Sequence, residues 1–229
     1  METQPRGAHS GPPVLLIHGF ASDSSDWTGW PDALAAAGRG SILVDLPGHG
    51  RTPAPDSLDD ASTTHIVDAL ATVVHEHPAI DVVAYSLGAR LAWELPAIAP
   101  VRRLVLGGLS PVEPFGALDF AQVEAFVAHG VAPTDGLTSM LMGMISAPGK
   151  DASALALVMQ GLATEPFAPV DGPAVPTLFV SGDGDPMAAG VDALVAITPG
   201  AQRVTVPGDH LGALRSTEFR AAALGFLGI

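Results

Sequence analysis

The sequence predicts an α/β protein with a mostly parallel sheet of about six strands and helices on both faces. Short apolar runs alternate with amphipathic segments of helical spacing along most of the 229 residues. Hydrophobic residues make up 48% of the chain and charged residues only 15%, which is typical of a globular domain with a large core. Strands that alternate with helices are typical of parallel sheets covered on both sides.

Six short, mainly apolar runs predict the strands, and the first of them is continuously apolar, as expected of a strand buried on both faces. These runs are residues 14–17, 42–46, 80–85, 104–109, 176–181 and 203–206. Right-handed crossovers between parallel strands would bring their carboxyl ends to one edge of the sheet, where ligands bind in such folds.

Amphipathic segments between these runs predict the helices. Glycine or proline closes several of them, as expected where a helix ends. The segments are residues 27–37, 62–77, 87–95, 187–197 and 217–227.

Residues 111–174 break this rhythm, since they contain helical patterns but no clear strand. We therefore predict a core formed by residues 1–110 and 175–229, with a small helical cap or lid inserted between them. Met140, Met142 and Met144 follow one another at every second position of this insertion. They either line an adaptable apolar pocket or fill gaps between helices, and ordinary packing is the more frequent use of methionine.

The net charge of −14 argues against some classes of partner. A field of that sign repels phosphate backbones and anionic lipids, so we expect a small-molecule substrate and neither nucleic acid nor membrane as a partner. The chain has no cysteine, and its start lacks the basic and then apolar layout of a signal peptide. A cytoplasmic location is the default expectation, and the oligomeric state stays open.

One motif organises the rest. The apolar run 80–85 stops at Ser86, with the small residues Ala84 and Gly88 two positions to either side. A strand, a very tight turn and a helix would force the serine backbone into strain and push its Oγ out of the sheet. The motif resembles the nucleophile elbow of the α/β-hydrolase family, with Ala84 where glycine is commonest.

That resemblance implies a catalytic triad in the chain order serine, acid, histidine. Ser86 is then the nucleophile and His210, after the last predicted strand, is the base. The acid is Asp185 or Asp183, and the spacing after Gly182 favours Asp185. The other seven histidines are discounted as bases. They lie in the tail, in the cap, on or beside a solvated helical segment, or in tight turns beside glycines, where bonding to the backbone is the usual role: His9, His129, His65, His75, His77, His18 and His49.

The resemblance also implies an oxyanion hole formed by the backbone N–H groups of Leu87 and Phe20. The turn from Asp45 to Thr52 matches a family turn with a structural role. The family usually opens with two antiparallel strands, and residues 1–13 are too short to supply both, so we expect this feature to be reduced or absent and the chain to be trimmed at its start. Metal-ligand spacings and glycine-rich phosphate loops are not found in the sequence, so no metal and no cofactor are expected.

Three functions are consistent with this machinery. The first is a serine hydrolase acting on a small, neutral, fairly apolar ester, thioester or lactone. The second is a carbon–carbon lyase or hydrolase, because Tyr85–Gly88, Arg90 and the turn at Asp45 are similar to the menaquinone-pathway cyclohexadiene carboxylate synthases, which eliminate pyruvate. Such an anionic substrate calls for cap arginines, and the chain has no arginine between Arg103 and Arg203. The third is a non-catalytic binder of small molecules.

The residues that contact substrate depend on the shape of the pocket as well as on the sequence pattern. The candidates are Tyr85, Arg90, Met140 and Met144.

Overall fold

The computed structural model of the chain describes residues 1–6, 11–112 and 114–229. In these residues, one sheet contains seven strands, and its order is β1-β3-β2-β4-β5-β6-β7. The strands in chain order are β1 Glu2–Arg6, β2 Val14–Ile17, β3 Ser41–Asp45, β4 Ile80–Tyr85, β5 Val101–Gly107, β6 Thr177–Gly182 and β7 Gln202–Val206.

The six predicted strands are all present, and every pair among them that shares hydrogen bonds is parallel. The seventh strand, β1, pairs antiparallel with β3. The antiparallel opening is therefore reduced to one strand, in agreement with the expectation, and is not absent.

Helices cover both faces of this sheet. In chain order they are α1 Trp30–Ala36, α2 Thr63–His75, α3 Leu87–Ile98, α4 Phe120–His129, α5 Gly136–Ile145, α6 Ala152–Ala163, α7 Asp192–Ala196, α8 His210–Arg215 and α9 Thr217–Leu227.

The first helix starts later than its apolar spacing predicts. Trp27 belongs to a separate 3₁₀ helix, Ser24–Trp27. Gly29, with a left-handed φ of 81°, separates this 3₁₀ helix from α1. Glycine adopts that conformation without the steric cost of a Cβ atom. Trp27 and Trp30 still pack edge to face, with ring centroids 5.2 Å apart.

Alternation along the strands divides the core into two layers. In β2, Leu15 and Ile17 join the layer on one face of the sheet, while Val14 and Leu16 join the layer on the other. All four side chains are fully buried. Both faces of the strand are covered, which explains why its sequence is a continuous apolar run.

The helices α4, α5 and α6 follow one another between β5 and β6 and pack mainly on each other. Helix α6 also touches the body of the protein, because a Cβ atom on Gly161 would lie only 2.4 Å from the Cβ of Ala61. The division into a core and a cap at residues 111–174 remains a prediction. Within the described part of the chain, none of the helices is long and apolar enough to cross a membrane.

Candidate active site

A cavity of about 330 Å³ opens at the carboxyl ends of the central strands. Its lining includes Ser86 and Leu87 from the turn after β4, Phe20 from the loop after β2, and His210 at the start of α8. Four predicted site residues that are up to 190 positions apart in sequence therefore meet at one cavity.

Ser86 occupies the turn between β4 and α3 in a strained conformation. Its φ of 53° and ψ of −117° lie outside the regions that residues with a Cβ atom ordinarily adopt. The backbone holds it there, because the Ser86 N–H donates to the Gly107 carbonyl at 2.8 Å and the Ser86 carbonyl accepts from the Arg90 N–H at 3.1 Å. The tight turn predicted at this serine is thus observed.

The small residues around Ser86 are required by close backbone approach. A Cβ atom on Gly88 would lie 2.4 Å from the Ile17 carbonyl oxygen and 2.5 Å from that of His18. A Cβ atom on Gly19 would lie 3.2 Å from the Cβ of Ser86. The end of β2 therefore lies directly against the turn that carries the serine.

His210 is hydrogen-bonded to a buried carboxylate. Its Nδ1 lies 2.8 Å from Oδ2 of Asp185, whose side chain is fully buried. Asp183 instead accepts from the Gly208 N–H at 2.9 Å and so stabilises the turn after β7. Of the two aspartates that the sequence left open, the structure places Asp185 against the imidazole.

Tyr85 connects the serine turn to the histidine. Its hydroxyl donates to the main-chain carbonyl of His210 at 2.6 Å, and the two rings are 5.3 Å apart. Burial, with Asp185 and Asp209 nearby, raises the pKa of Tyr85, so the phenol stays protonated and keeps donating. Tyr85 was expected among the substrate-contacting residues; its ring lines the cavity while its hydroxyl bonds to His210.

Arg90 also reaches the cavity but directs part of its guanidinium elsewhere. One nitrogen, Nη2, donates to the Glu165 carbonyl at 2.5 Å, to Thr63 Oγ1 at 2.9 Å and to the Leu162 carbonyl at 3.3 Å. Arg90 therefore links α3 to the end of α6 and to the start of α2. Whether it also contacts substrate stays a prediction.

The methionines of α5 divide between the two roles that their sequence left open. Met142 is buried to 1% exposure and packs in the core, whereas Met140 and Met144 line the cavity and are 47% and 39% exposed. Two more exposed apolar side chains, Val112 and Leu211, line the same cavity. The opening of the cavity is therefore apolar.

Leu87 and Phe20, whose backbone N–H groups are the expected oxyanion-hole donors, both line the cavity. Leu87 is the first residue of α3, so its N–H has no acceptor within the helix and lies at the positive end of the helix dipole. Phe20 follows Gly19, the residue in contact with Ser86. That their N–H groups form an oxyanion hole stays a prediction.

Burial and main-chain hydrogen bonds distinguish two of the other histidines, His18 and His49. Both are nearly inaccessible, and burial lowers both pKa values, that of His49 to about 3. His9 lies outside the described residues. Among described residues, no group of three or more His, Cys, Asp or Glu side chains is arranged to hold a metal ion.

Sequence reasoning missed several cavity-lining residues. Phe115, Phe167 and Leu211 all lie in the wall of the cavity. The signal for Leu211 was its position beside His210, but the short helix α8 was not predicted. Phe115 and Phe167 flank α4–α6 at either end, and only the packing of those helices brings them to the cavity.

Comparison with known proteins shows the family. The model of the alpha/beta hydrolase family matches residues 14–222. The chain is 31% identical over 126 residues to the dihydrolipoyllysine-residue acetyltransferase component of the acetoin cleaving system of Pseudomonas putida, covering 53% of this chain and 33% of that protein. It is 33% identical over 90 residues to the 2-succinyl-6-hydroxy-2,4-cyclohexadiene-1-carboxylate synthase of Yersinia pestis, covering 38% and 31%.

The chain thus spans about a third of the length of these curated relatives. Among solved structures, the enol-lactonase of Burkholderia xenovorans LB400 superposes with a TM-score of 0.77 at 18% identity, over 100% of this chain and 96% of that one. This likeness shows the fold alone. The α/β-hydrolase fold expected from the elbow is confirmed, and the chain belongs to the alpha/beta hydrolase family.

Proposed function

We propose that this protein is a serine hydrolase that cleaves small, neutral, fairly apolar esters, thioesters or lactones through an acyl-enzyme on Ser86. One observation carries the proposal: Ser86 lies in the same cavity as His210, and Nδ1 of His210 is hydrogen-bonded to the buried Asp185. A hydroxyl, a base and an oriented carboxylate are the groups that acyl transfer requires.

In the first step, Ser86 Oγ attacks the substrate carbonyl carbon and its proton passes to His210 Nε2. Asp185 accepts from Nδ1–H, so the neutral imidazole presents its unprotonated Nε2 as the base. The Leu87 and Phe20 N–H groups stabilise the oxyanion of the tetrahedral intermediate. When the intermediate collapses, the bond to the leaving oxygen or sulfur breaks, and that atom takes the proton from His210.

In the second step, water attacks the acyl carbon and gives a proton to His210 Nε2. The bond between the acyl carbon and Ser86 Oγ then breaks, Oγ regains the proton, and the carboxylic acid leaves. Each step uses His210 once as a base and once as an acid, as the same imidazole does in other acyl-transfer sites.

The cavity supports a neutral, apolar substrate. Most of its lining is apolar, with Phe20, Phe115, Met140 and Met144 among the contributing side chains. Among the described residues that line the cavity, Asp26 supplies the one carboxylate and Arg90 the one guanidinium. About 330 Å³ admits a small ligand, since ligand pockets of this kind generally hold about 300 to 1,000 Å³.

The second candidate is a lyase with chemistry like that of the Yersinia synthase. The 33% identity between that synthase and this chain over 90 residues favours this candidate. A multiply charged substrate needs cations that can pair with carboxylates. Between Arg103 and Arg203 the sequence offers one cation, Lys150, and its Nζ lies 3.2 Å from Asp23 Oδ2. The charge of this region therefore favours the hydrolase.

A fluorophosphonate probe followed by intact-mass measurement tests the proposal. We expect one adduct per chain in the wild type and in the control Ser139→Ala, which alters an exposed α5 serine bonded to the Pro133 carbonyl. Ser86→Ala should give no adduct and should lose about 10⁶ in kcat on p-nitrophenyl butyrate.

The remaining outcomes separate the alternatives. An adduct that persists in Ser86→Ala would contradict the assigned nucleophile. Folded wild type that forms no adduct and turns over no ester, yet binds small apolar ligands, would favour a binding protein. If kcat/KM for the synthase's substrate exceeds that for every ester from acetate to octanoate, the lyase replaces the hydrolase.

A further inference from the structure

Ala21 has a backbone conformation that needs support. Its φ of 54° is left-handed. Among the described residues other than glycine, Ala21 and Ser86 are the two with a positive φ. Such a conformation costs about 1–2 kcal/mol for a residue with a Cβ atom. Ala21 directly follows Phe20, so the strain lies next to the N–H group that we assign to the oxyanion hole.

His49, in the turn after β3, holds this strained peptide. The Ala21 N–H donates to His49 Nε2 at 3.1 Å, and His49 Nδ1 lies 2.8 Å from the Pro47 carbonyl oxygen. A nitrogen that accepts from an N–H carries no proton, so Nδ1 carries it and donates to Pro47. These two bonds specify one neutral tautomer of a histidine that is 2% exposed.

His18 repeats the arrangement one peptide earlier. Its Nε2 accepts from the Leu46 N–H at 3.0 Å and its Nδ1 lies 2.7 Å from the Gly19 carbonyl oxygen. The Gly19 carbonyl and the Phe20 N–H belong to one planar trans peptide and point in opposite directions. Fixing the carbonyl therefore fixes the direction of the N–H.

Both peptides that flank the Phe20 Cα atom are thus bonded to a buried histidine. The His49 ring also packs edge to face with the Phe20 ring at 5.7 Å and lies 5.2 Å from the His18 ring. Of the other histidines that the structure describes, those at 65, 75 and 129 are exposed, His77 is partly exposed and His210 is bonded to Asp185. The loop after β2 is therefore fixed to the segment after β3 twice: directly through His49, and through His18, which accepts from the Leu46 N–H.

We propose that His49 is a positioning residue: by accepting from the Ala21 N–H it holds the Phe20–Ala21 peptide and the left-handed conformation of Ala21, and so aims the Phe20 N–H at the oxyanion. This role rests on the proposed hydrolase function, although the hydrogen bond itself does not. His49 is not among the residues that line the cavity. It acts through the backbone of the loop, with His18 as its partner.

The role requires a neutral imidazole, because protonation of Nε2 removes the acceptor. Burial is the main cause that lowers the pKa of His49, and the nearby His18 and Lys150 lower it further, while Asp45 and the bond to Pro47 act against them. With a pKa of about 3, His49 stays neutral at neutral pH.

Two substitutions of His49 separate positioning from packing. His49→Leu fills a similar volume but has no acceptor, whereas His49→Gln can present Oε1 to the Ala21 N–H. We expect His49→Leu to lose about 10²-fold in kcat on p-nitrophenyl butyrate with KM within threefold of wild type, because a misplaced donor weakens mainly the transition state. His49→Gln should recover most of this loss. His75→Leu, at an exposed position of α2, serves as the control.

A second readout responds to the oxyanion alone. Affinity for butylboronic acid, which forms a tetrahedral anion on the serine, should fall in parallel with kcat in His49→Leu, and affinity for butyrate should not. Unchanged kcat and boronate affinity in folded His49→Leu would overturn the proposal, as would a His49→Gln no better than His49→Leu.

A third readout does not depend on activity. Exchange of the Ala21 amide hydrogen should be slow in wild type and His49→Gln and fast in His49→Leu, and ¹⁵N NMR of the wild type should show His49 protonated on Nδ1. Protonation on Nε2 would overturn the proposal even if no variant folds. If the amide behaves as expected but no ester is turned over, the proposed function fails and the hydrogen bond stands.

Discussion

The two sides of the cavity are built differently. On the strand-end side, Ala21 and Ser86 are held in strained conformations by hydrogen bonds to His49 and Gly107, and Asp185 is buried beneath His210. On the α5 side, the cavity meets Met140 and Met144, which are flexible, apolar and about half exposed. The first side fixes the positions of reacting groups, and the second supplies contact area that tolerates change.

After the loss of the nucleophile itself, the largest effect should come from the carboxylate on the strand-end side. We expect Asp185→Asn to lose about 10⁴-fold in kcat, because an amide at the 2.8 Å contact would donate to His210 Nδ1 and select the wrong tautomer. Asp183→Asn should lose less than about tenfold, since the amide oxygen can still accept from the Gly208 N–H. Steady-state kinetics on one ester measures both, and equal losses would contradict the assignment of the acid.

Two helical glycines extend the comparison to stability. Gly88→Ala would place a Cβ atom 2.4 Å from the Ile17 carbonyl and should lower the free energy of unfolding by about 3 kcal/mol. Gly143→Ala on α5 meets nothing within 4 Å and should raise it by about 0.5–1 kcal/mol. Urea unfolding of both variants checks the signs; destabilisation by Gly143→Ala would show that α5 is packed more tightly than the structure indicates.

Acid should weaken the strand-end side before the carboxylates are protonated. The pKa of His49 is about 3 in the folded protein and about 6.5 when unfolded, so the unfolded chain binds the extra proton between these values. Stability from His49 is complete above pH 6.5 and is lost as pH falls, with a slope approaching about 1.4 kcal/mol per pH unit. His18 adds a contribution of the same sign.

Urea unfolding at pH 7 and pH 5 measures this slope. His49→Gln, which has nothing to titrate, should show a shallower loss than wild type. Equal slopes would mean that His49 is already protonated in the folded protein or titrates normally.

The smallest effect is expected on the α5 side. Met144→Ala should raise KM for octanoate esters about fivefold and leave KM for acetate esters nearly unchanged. The substitution removes apolar contact area at a half-exposed position, and we expect that area to contribute about 1 kcal/mol to the binding of a long acyl chain. Met142→Ala, at a buried position two residues away, should instead lower stability by about 2–5 kcal/mol without altering the preference for chain length. KM measured across an ester series, and urea unfolding, separate the two.

The same contrast explains how far the sequence could predict the structure. The strands and the turn at Ser86 follow from local constraints, such as a continuous apolar run or a glycine that must admit the Ile17 carbonyl. The neighbourhood of His210 needed the resemblance to a family, because only folding brings Asp185 and not Asp183 to the imidazole.

Other features could not be predicted because they depend on contacts between distant segments. The spacing of Trp27 and Trp30 suggested one helix, but the conformation of Gly29 separates them. His49 was correctly expected to bond to the backbone, yet its partner Ala21 lies 28 positions earlier, and no local pattern indicates it. Whether each methionine of α5 packs in the core or lines the cavity depended on which face of the helix is turned toward the core.

The hydrogen bond from Tyr85 to the His210 carbonyl has a consequence for heat inactivation. Tyr85 is almost fully buried and immediately precedes Ser86. Its hydroxyl is bonded to His210, so a side chain of the core sets the distance between nucleophile and base. An active site formed by two independent loops can lose its alignment at temperatures where the core is still folded. Here we expect the loss of alignment and the melting of the sheet to occur together, at one temperature.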